Sequence, residues 1–177
     1  MKKNIAIGLR LTLVCTVFFC GIYTCAVWGI AQLVPGQSKN YYQNVGQAFT
    51  SDKYFWSRPS AVDYNAAGSG GSNKGPTNSE YLALVQARVD TFLVHNPGVK
   101  KSEIPSDLVT ASGSGIDPHI SVQAAEVQVK RIARYRHLSE IALEKLVKDN
   151  TEHPLLGLFG TERINVLKLN TALDQLR

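Results

Sequence analysis

Twenty-three consecutive uncharged residues, Leu11 to Leu33, follow a basic opening that contains Lys2, Lys3 and Arg10, and no other stretch narrows the possible folds as far. A helix of that length reaches about 34 Å at 1.5 Å per residue, enough to cross a hydrocarbon core roughly 30 Å thick. The expectation is a membrane-spanning helix over 11–33 behind a short basic tail, 1–10. Lys39 is the one cation in the dozen residues after the span, so the charge bias predicts a cytoplasmic N-terminus and an extracytoplasmic remainder. A cleavable secretory signal is the alternative, since Gly29-Ile30-Ala31 has small-x-small spacing. Signal cores run only about 7 to 15 residues, which favours retention.

Beyond the span, Pro35 to Arg177 suffices for one domain with a real core. It holds all 14 acidic residues and 16 of the 19 Lys and Arg, a balance of +2, so nothing in the charge points to nucleic acid. Cys15, Cys20 and Cys25 all fall inside the span. The outer part therefore has no thiols for a disulfide framework or a thiolate metal site. Five-residue spacing rotates each cysteine by about 140° from the last, so the three share no ligand face and read as small packing residues. His95, His119, His137 and His153 lack the i, i+4 spacing of a helical zinc pair.

The span carries relief. Gly21, Cys25 and Gly29 recur every fourth residue, a small-xxx-small strip of the kind that lets another helix approach closely in lipid. Thr12, Thr16, Cys20 and Thr24 form a second small row, whose hydroxyls can bond their own carbonyls or a neighbour. Residues 34–53 are polar and turn-rich and read as a juxtamembrane connector, with Tyr41 and Tyr42 suited to the lipid headgroup belt. Residues 54–177 then form the domain.

That domain opens on Tyr54-Phe-Trp-Ser-Arg-Pro-Ser-Ala61, an aromatic cluster whose proline disfavours helix at Arg58. Its rings are expected in the core, with Arg58 stacked near one of them. The segment Gly68 to Pro76 is rich in Gly and Ser, but no G-x-x-x-x-G-K-[ST] can be drawn through it. Its amides could hold a partner's carboxylate. Thr77-Asn-Ser-Glu80 has capping-box spacing before a helix with Tyr81, Val85, Val89, Phe92 and Leu93 on one face. A strand is predicted over Asp107–Ala111. Ser121 is predicted to cap one helix continuing to Arg134, Ser139 another to about Asp149, and a last helix runs from about Asn165 to Leu176. Between them lies Pro154-Leu-Leu-Gly-Leu-Phe-Gly160, an apolar loop that needs a cover. Helices outnumber strands and a small sheet is expected, so the class is α+β.

Ser112, Ser114, Asp117 and His119 bring hydroxyl, carboxylate and imidazole within eight residues, the side-chain types of a hydrolase. There is no G-x-S-x-G elbow, because Ser114 has Gly on both sides. A tight turn whose hydroxyls satisfy loop amides uses the same residues, as does a polar surface facing an ion entrance.

Asp107-Leu-Val-Thr-Ala-Ser-Gly-Ser-Gly-Ile-Asp-Pro-His-Ile-Ser121, together with Tyr54–Ala61, Gly70-Gly-Ser-Asn73 and Asn165-Val-Leu-Lys-Leu-Asn-Thr-Ala-Leu-Asp174, resembles the KdpC family, the C subunit of bacterial Kdp potassium-transporting ATPases. The resemblance implies an accessory subunit without catalytic residues or bound cofactor. A channel-like A subunit carries potassium, a P-type ATPase B subunit handles ATP and magnesium, and a small F peptide assists. The C subunit of that family is credited with assembling the complex, is described as a catalytic chaperone that raises the B subunit's ATP affinity, and covers the external mouth of the A subunit. Arg58, Gly70, Gly71, Ser72, Asn73, Ser112, Ser114, Asp117 and His119 are then expected in loops that meet a partner or the ion entrance, with Gly21, Cys25 and Gly29 packing in the membrane. The charge argument puts the domain on the side away from ATP, so an effect on ATP affinity has to travel through coupled conformations. Two departures from the family pattern stand out: the segment before Tyr54 is short and lacks a Gly-Ser-Leu-Ile hairpin, and Ser57 replaces a common glycine.

Overall fold

The computed structural model describes residues 2–33 and 43–176, and the chain divides near residue 41 into two compact units. The first is a helical rod: α1 (Lys2–Thr16), a π-helical stretch (Val17–Tyr23) and α2 (Thr24–Leu33). Lys3–Leu33 is long and apolar enough to cross a membrane, and none of its side chains is buried within the protein. Helix begins at Lys2, well before the apolar run, because nothing in residues 2–10 breaks it and each added residue adds a backbone bond. The wider π winding lets the Thr24 hydroxyl reach back five residues to the Phe19 carbonyl (2.8 Å), while Thr16 reaches the ordinary four to Thr12 (2.8 Å).

The second unit is α+β. Its helices are α3 (Ser79–His95), α4 (Val122–Glu126), α5 (Val129–Arg136), α6 (Glu140–Asp149) and α7 (Val166–Gln175), and its strands are β1 (His119–Ile120), β2 (Thr151–Glu152) and β3 (Arg163–Asn165). The antiparallel sheet has the order β1-β3-β2, with Ile164 opposite both Ile120 and Thr151, and Arg163 opposite Glu152. Strand alternation sends Ile120 and Ile164 inward, where both are buried, and His119 and Glu152 to the other face. Phe55, Ile132, Leu143, Leu169 and Leu173 complete a core without solvent contact, and Ala124 and Ala125 let α4 approach closely.

Several boundaries differ from expectation for identifiable reasons. Asp107–Ala111 is not a strand but a 3-10 turn (Ser106–Leu108) and its exit. Ser106 O accepts from both Val109 N (3.2 Å) and Thr110 N (2.8 Å), so the local amides are taken before a ladder can form. The helix from Ser121 breaks after Glu126: buried Gln128 donates its side-chain amide to Ala124 O (2.8 Å), while its backbone N–H turns to Ala125 O (3.0 Å). Ser121 and Ser139 cap as expected, onto Ala124 N and Ala142 N. The cap of α3 is Asn78, one residue beyond Thr77, accepting from Tyr81 N (2.9 Å), and Glu80 pairs with Lys74 (2.7 Å) instead of closing a capping box. Pro35, Gly36, Tyr41 and Tyr42 of the expected connector lie outside the described residues. From Gln43 the chain is packed into the domain: Asn165 donates to Gln43 O (2.6 Å), and Gly46 donates to Ile116 O (2.7 Å).

Candidate functional site

The two Gly/Ser segments meet backbone to backbone. Gly70 N and the Ser69 hydroxyl both donate to Ser114 O (2.9 Å each), and the Ser60 hydroxyl donates to Gly115 O (2.6 Å). Gly115 has φ +70°, and a Cβ there would stand 2.5 Å from Val62 Cγ2 and 2.7 Å from Gly70 O. Gly71 lies against Gly113 with room for little more than its hydrogens, since a Cβ would come 3.1 Å from Gly113 O. The hydroxyls of the predicted cluster serve the turn itself: buried Ser112 accepts from Gly115 N (2.9 Å), and Ser114 accepts from Ile116 N (3.2 Å). Ser72 and Asn73 are exposed at the loop tip, Asn73 in the left-handed region with φ 52°.

Asp117 and His119 turn away from those serines into a chain of charges on the outer face of the sheet. Arg58 donates to Thr110 O (3.3 Å) and pairs with Asp117 (3.4 Å). Asp117 Oδ1 lies 3.1 Å from His119 Nδ1 and also accepts from His119 N (3.0 Å). On the far side of the ring, His119 Nε2 is 3.6 Å from Glu152, which is paired in turn with Lys168 (2.8 Å) and Arg163 (3.2 Å). The imidazole hydrogen bond holds the Asp117 carboxyl below its ordinary range against the opposing effect of partial burial, with Arg58 assisting. Lys168 does the same for Glu152. Arg58, Asp107, Asp117, His119 and Arg163 line an open cleft of about 550 Å³. Among the described residues no serine hydroxyl is hydrogen-bonded to His119, so nucleophile and base are not assembled. Nor do three His, Cys, Asp or Glu side chains among the described residues converge as metal ligands.

Arg58 is not the arginine that stacks on the aromatic cluster. Arg131 lies 4.7 Å from the Trp56 ring centre, and Arg136 4.8 Å from that of Tyr54. Arg131, with no exposed side-chain surface, donates to Asn96 Oδ1 (3.0 Å), Asp52 O (2.7 Å), Tyr54 O (3.0 Å) and Gln128 Oε1 (2.6 Å). Burial lowers its pKa to about 10, which still leaves it charged at neutral pH. Gln128 also accepts from Trp56 N (2.7 Å), and Asn170 brackets Phe55 by accepting from its N (2.9 Å) and donating to its O (3.0 Å). Side chains thus do for residues 51–56 what a neighbouring strand would do. Reading by residue type missed these positions; their signal is a polar residue on the apolar face of a helix, as with Asn170 between Leu169 and Leu173.

In the rod, Gly21 falls inside the π stretch, and Cys25 and Gly29 on α2. A Cβ at Gly21 or Gly29 would meet no atom within 4 Å, so both leave open surface.

A sequence model of the KdpC family, described as "K+-transporting ATPase, c chain", matches residues 5–175. Similar proteins named "Potassium-transporting ATPase KdpC subunit" include one from Flavobacterium psychrophilum, 52% identical over 185 residues and covering 99% of this chain and 100% of the relative. Another, from Bacteroides thetaiotaomicron, is 50% identical with 98% of each chain covered, and one from Geobacter sulfurreducens is 46% identical with 98% of each covered. The chain belongs to the KdpC family. An alignment of 185 positions against 177 residues also means that the Flavobacterium protein has residues without a counterpart here.

Proposed function

We propose that this chain is the non-catalytic, single-pass C subunit of an ATP-driven potassium importer. The observation that carries this reading is that one family match runs through both the apolar rod and the α+β domain, at about half identity to proteins named as such subunits. Potassium is cargo for a channel-like A subunit, and ATP with magnesium belongs to a P-type B subunit; a small F peptide and membrane lipid complete the surroundings. The rod crosses the plasma membrane with its N-terminus cytoplasmic, in keeping with Lys2, Lys3 and Arg10. Gly21, Cys25 and Gly29 give a partner helix close approach, which their open surface supports.

In this reading the outer domain covers the ion entrance, and no reaction occurs in it. That division of labour is supported by the chemistry of the loops: the Ser112 and Ser114 hydroxyls are committed to loop amides, and His119 stands between two carboxylates rather than beside a nucleophile. Exposed Ser72 and Asn73, with the half-buried Arg58–Asp117 pair, are the surface offered to a partner. A chaperone-like effect on ATP affinity would be transmitted through the complex, because the domain and ATP are on opposite sides of the membrane.

The test is purification of a tagged chain from its native membrane in mild detergent, followed by identification of stoichiometric companions. A channel-like protein and a P-type ATPase, with potassium-stimulated ATP hydrolysis that falls when this chain is removed, are expected. A chain that purifies alone and turns over an ester or peptide substrate would overturn the reading.

A further inference from the structure

The segment joining β2 to β3 closes on itself. Leu155 and Phe159 exchange two backbone hydrogen bonds (3.0 Å each), Gly157 N donates to Pro154 O (2.9 Å), and Leu158 N donates to Leu155 O (3.2 Å). Its side chains do the opposite: Leu155, Leu156, Leu158 and Phe159 are 70%, 81%, 80% and 65% exposed. No charge occurs from Pro154 to Thr161, and at the stem His153 pairs with Glu162 (2.9 Å). A protrusion that bonds its own backbone and points four large apolar side chains outward is built to enter an apolar medium, where an unsatisfied amide is costly. A loop meant to pair with another protein's strand would keep its amides free instead.

The apolar medium within reach is the bilayer that holds this chain's own helix. Ten peptide links join Leu33 to Gln43, and at about 3.5 Å each they extend no further than about 35 Å. Gln43 O is bonded to Asn165 at the end of β3, and the tip precedes that strand by only a few residues. We propose that Leu155–Phe159 is a lipid wedge that dips into the boundary between headgroups and acyl chains, leaving the His153–Glu162 stem among the headgroups. This rests on the reading of Lys3–Leu33 as a membrane span.

The test uses the full chain in phosphatidylcholine vesicles, with Cys15, Cys20 and Cys25 changed to Ala and an environment-sensitive fluorophore on Leu156→Cys. Lipids carrying a nitroxide near the headgroup are expected to quench this probe several-fold more than the same probe on Lys100→Cys. Phe159→Asp in the Leu156→Cys protein is expected to abolish that difference while the domain's near-ultraviolet circular dichroism is unchanged, since Phe159 lies outside the core. A chain retained through an alkaline wash but with an unquenched probe overturns the wedge alone. A probe unquenched in that way and shielded only when the other subunits are co-reconstituted assigns the hairpin to a protein interface and likewise overturns it. Loss of the chain in the wash overturns the span reading and the wedge together.

Discussion

Arg131 is a charge without solvent, and everything around it is arranged for that charge. It holds three successive stretches of the entering segment, at Ser51–Asp52, Tyr54 and, through Gln128, Trp56. Replacing it by Met leaves the Asp52 and Tyr54 carbonyls and the Asn96 amide oxygen without that donor, each costing about 1–3 kcal/mol when buried. Arg131→Met is therefore expected to lower the unfolding free energy by at least about 3 kcal/mol, read from chemical denaturation of the detergent-solubilised chain; a loss below about 1 kcal/mol would contradict the network's importance. Asp117 makes a pH-dependent contribution. Because its folded pKa lies below the unfolded value of about 3.9, its pairing stabilises the fold above that pH and is lost as pH falls through the lower folded value. Asp117→Asn is expected to weaken the protein near neutrality and to flatten its loss of stability as pH falls below about 5. Parallel pH profiles for parent and variant would show that the pairing is immaterial to folding.

At the scale of elements, the glycine loops are a packing device whose tolerance varies from position to position. Gly115→Ala combines a left-handed backbone penalty of about 1 kcal/mol with overpacking against Val62 and Gly70 of about 1–3 kcal/mol. Gly68→Ala meets no atom within 4 Å and is expected to range from neutral to stabilising by up to about 1 kcal/mol. Thermal denaturation of the pair separates the two cases, and equal losses would refute the close approach. The α4–α5 break follows the same logic: Gln128 takes a helix carbonyl with its side chain in order to bring Oε1 to Trp56 and Arg131. No periodicity of apolar residues records that exchange, which is why one continuous helix was the natural expectation over 121–134. The aromatic segment was legible as core from its rings, and Phe55 is fully buried. Its arginine partner was not, because Arg58 is adjacent in sequence while Arg131 arrives from a helix folded against it.

At the scale of the whole molecule, the subunit reading predicts effects that separate assembly from folding. Gly29→Leu projects a large side chain into open surface on the rod, so the domain's stability should be unchanged while co-purification of the channel-like subunit drops several-fold in detergent. Undiminished co-purification of Gly21→Leu and Gly29→Leu would remove the strip from the interface. Protease added to sealed, right-side-out cells should degrade the domain and spare the rod. A protected C-terminus would reverse the proposed orientation. What the amino-acid order determined unaided was whatever depends on local periodicity and on lengths of apolar chain: the rod, the α+β class, the caps at Ser121 and Ser139, and the family. What the tertiary structure alone decided was which distant partner a polar side chain found. Whether Arg131 meets Asn96, Asn170 brackets Phe55 or Tyr54 reaches Asp174 depends on partners 35 to 120 residues apart, and their approach is set by the packing of the whole domain.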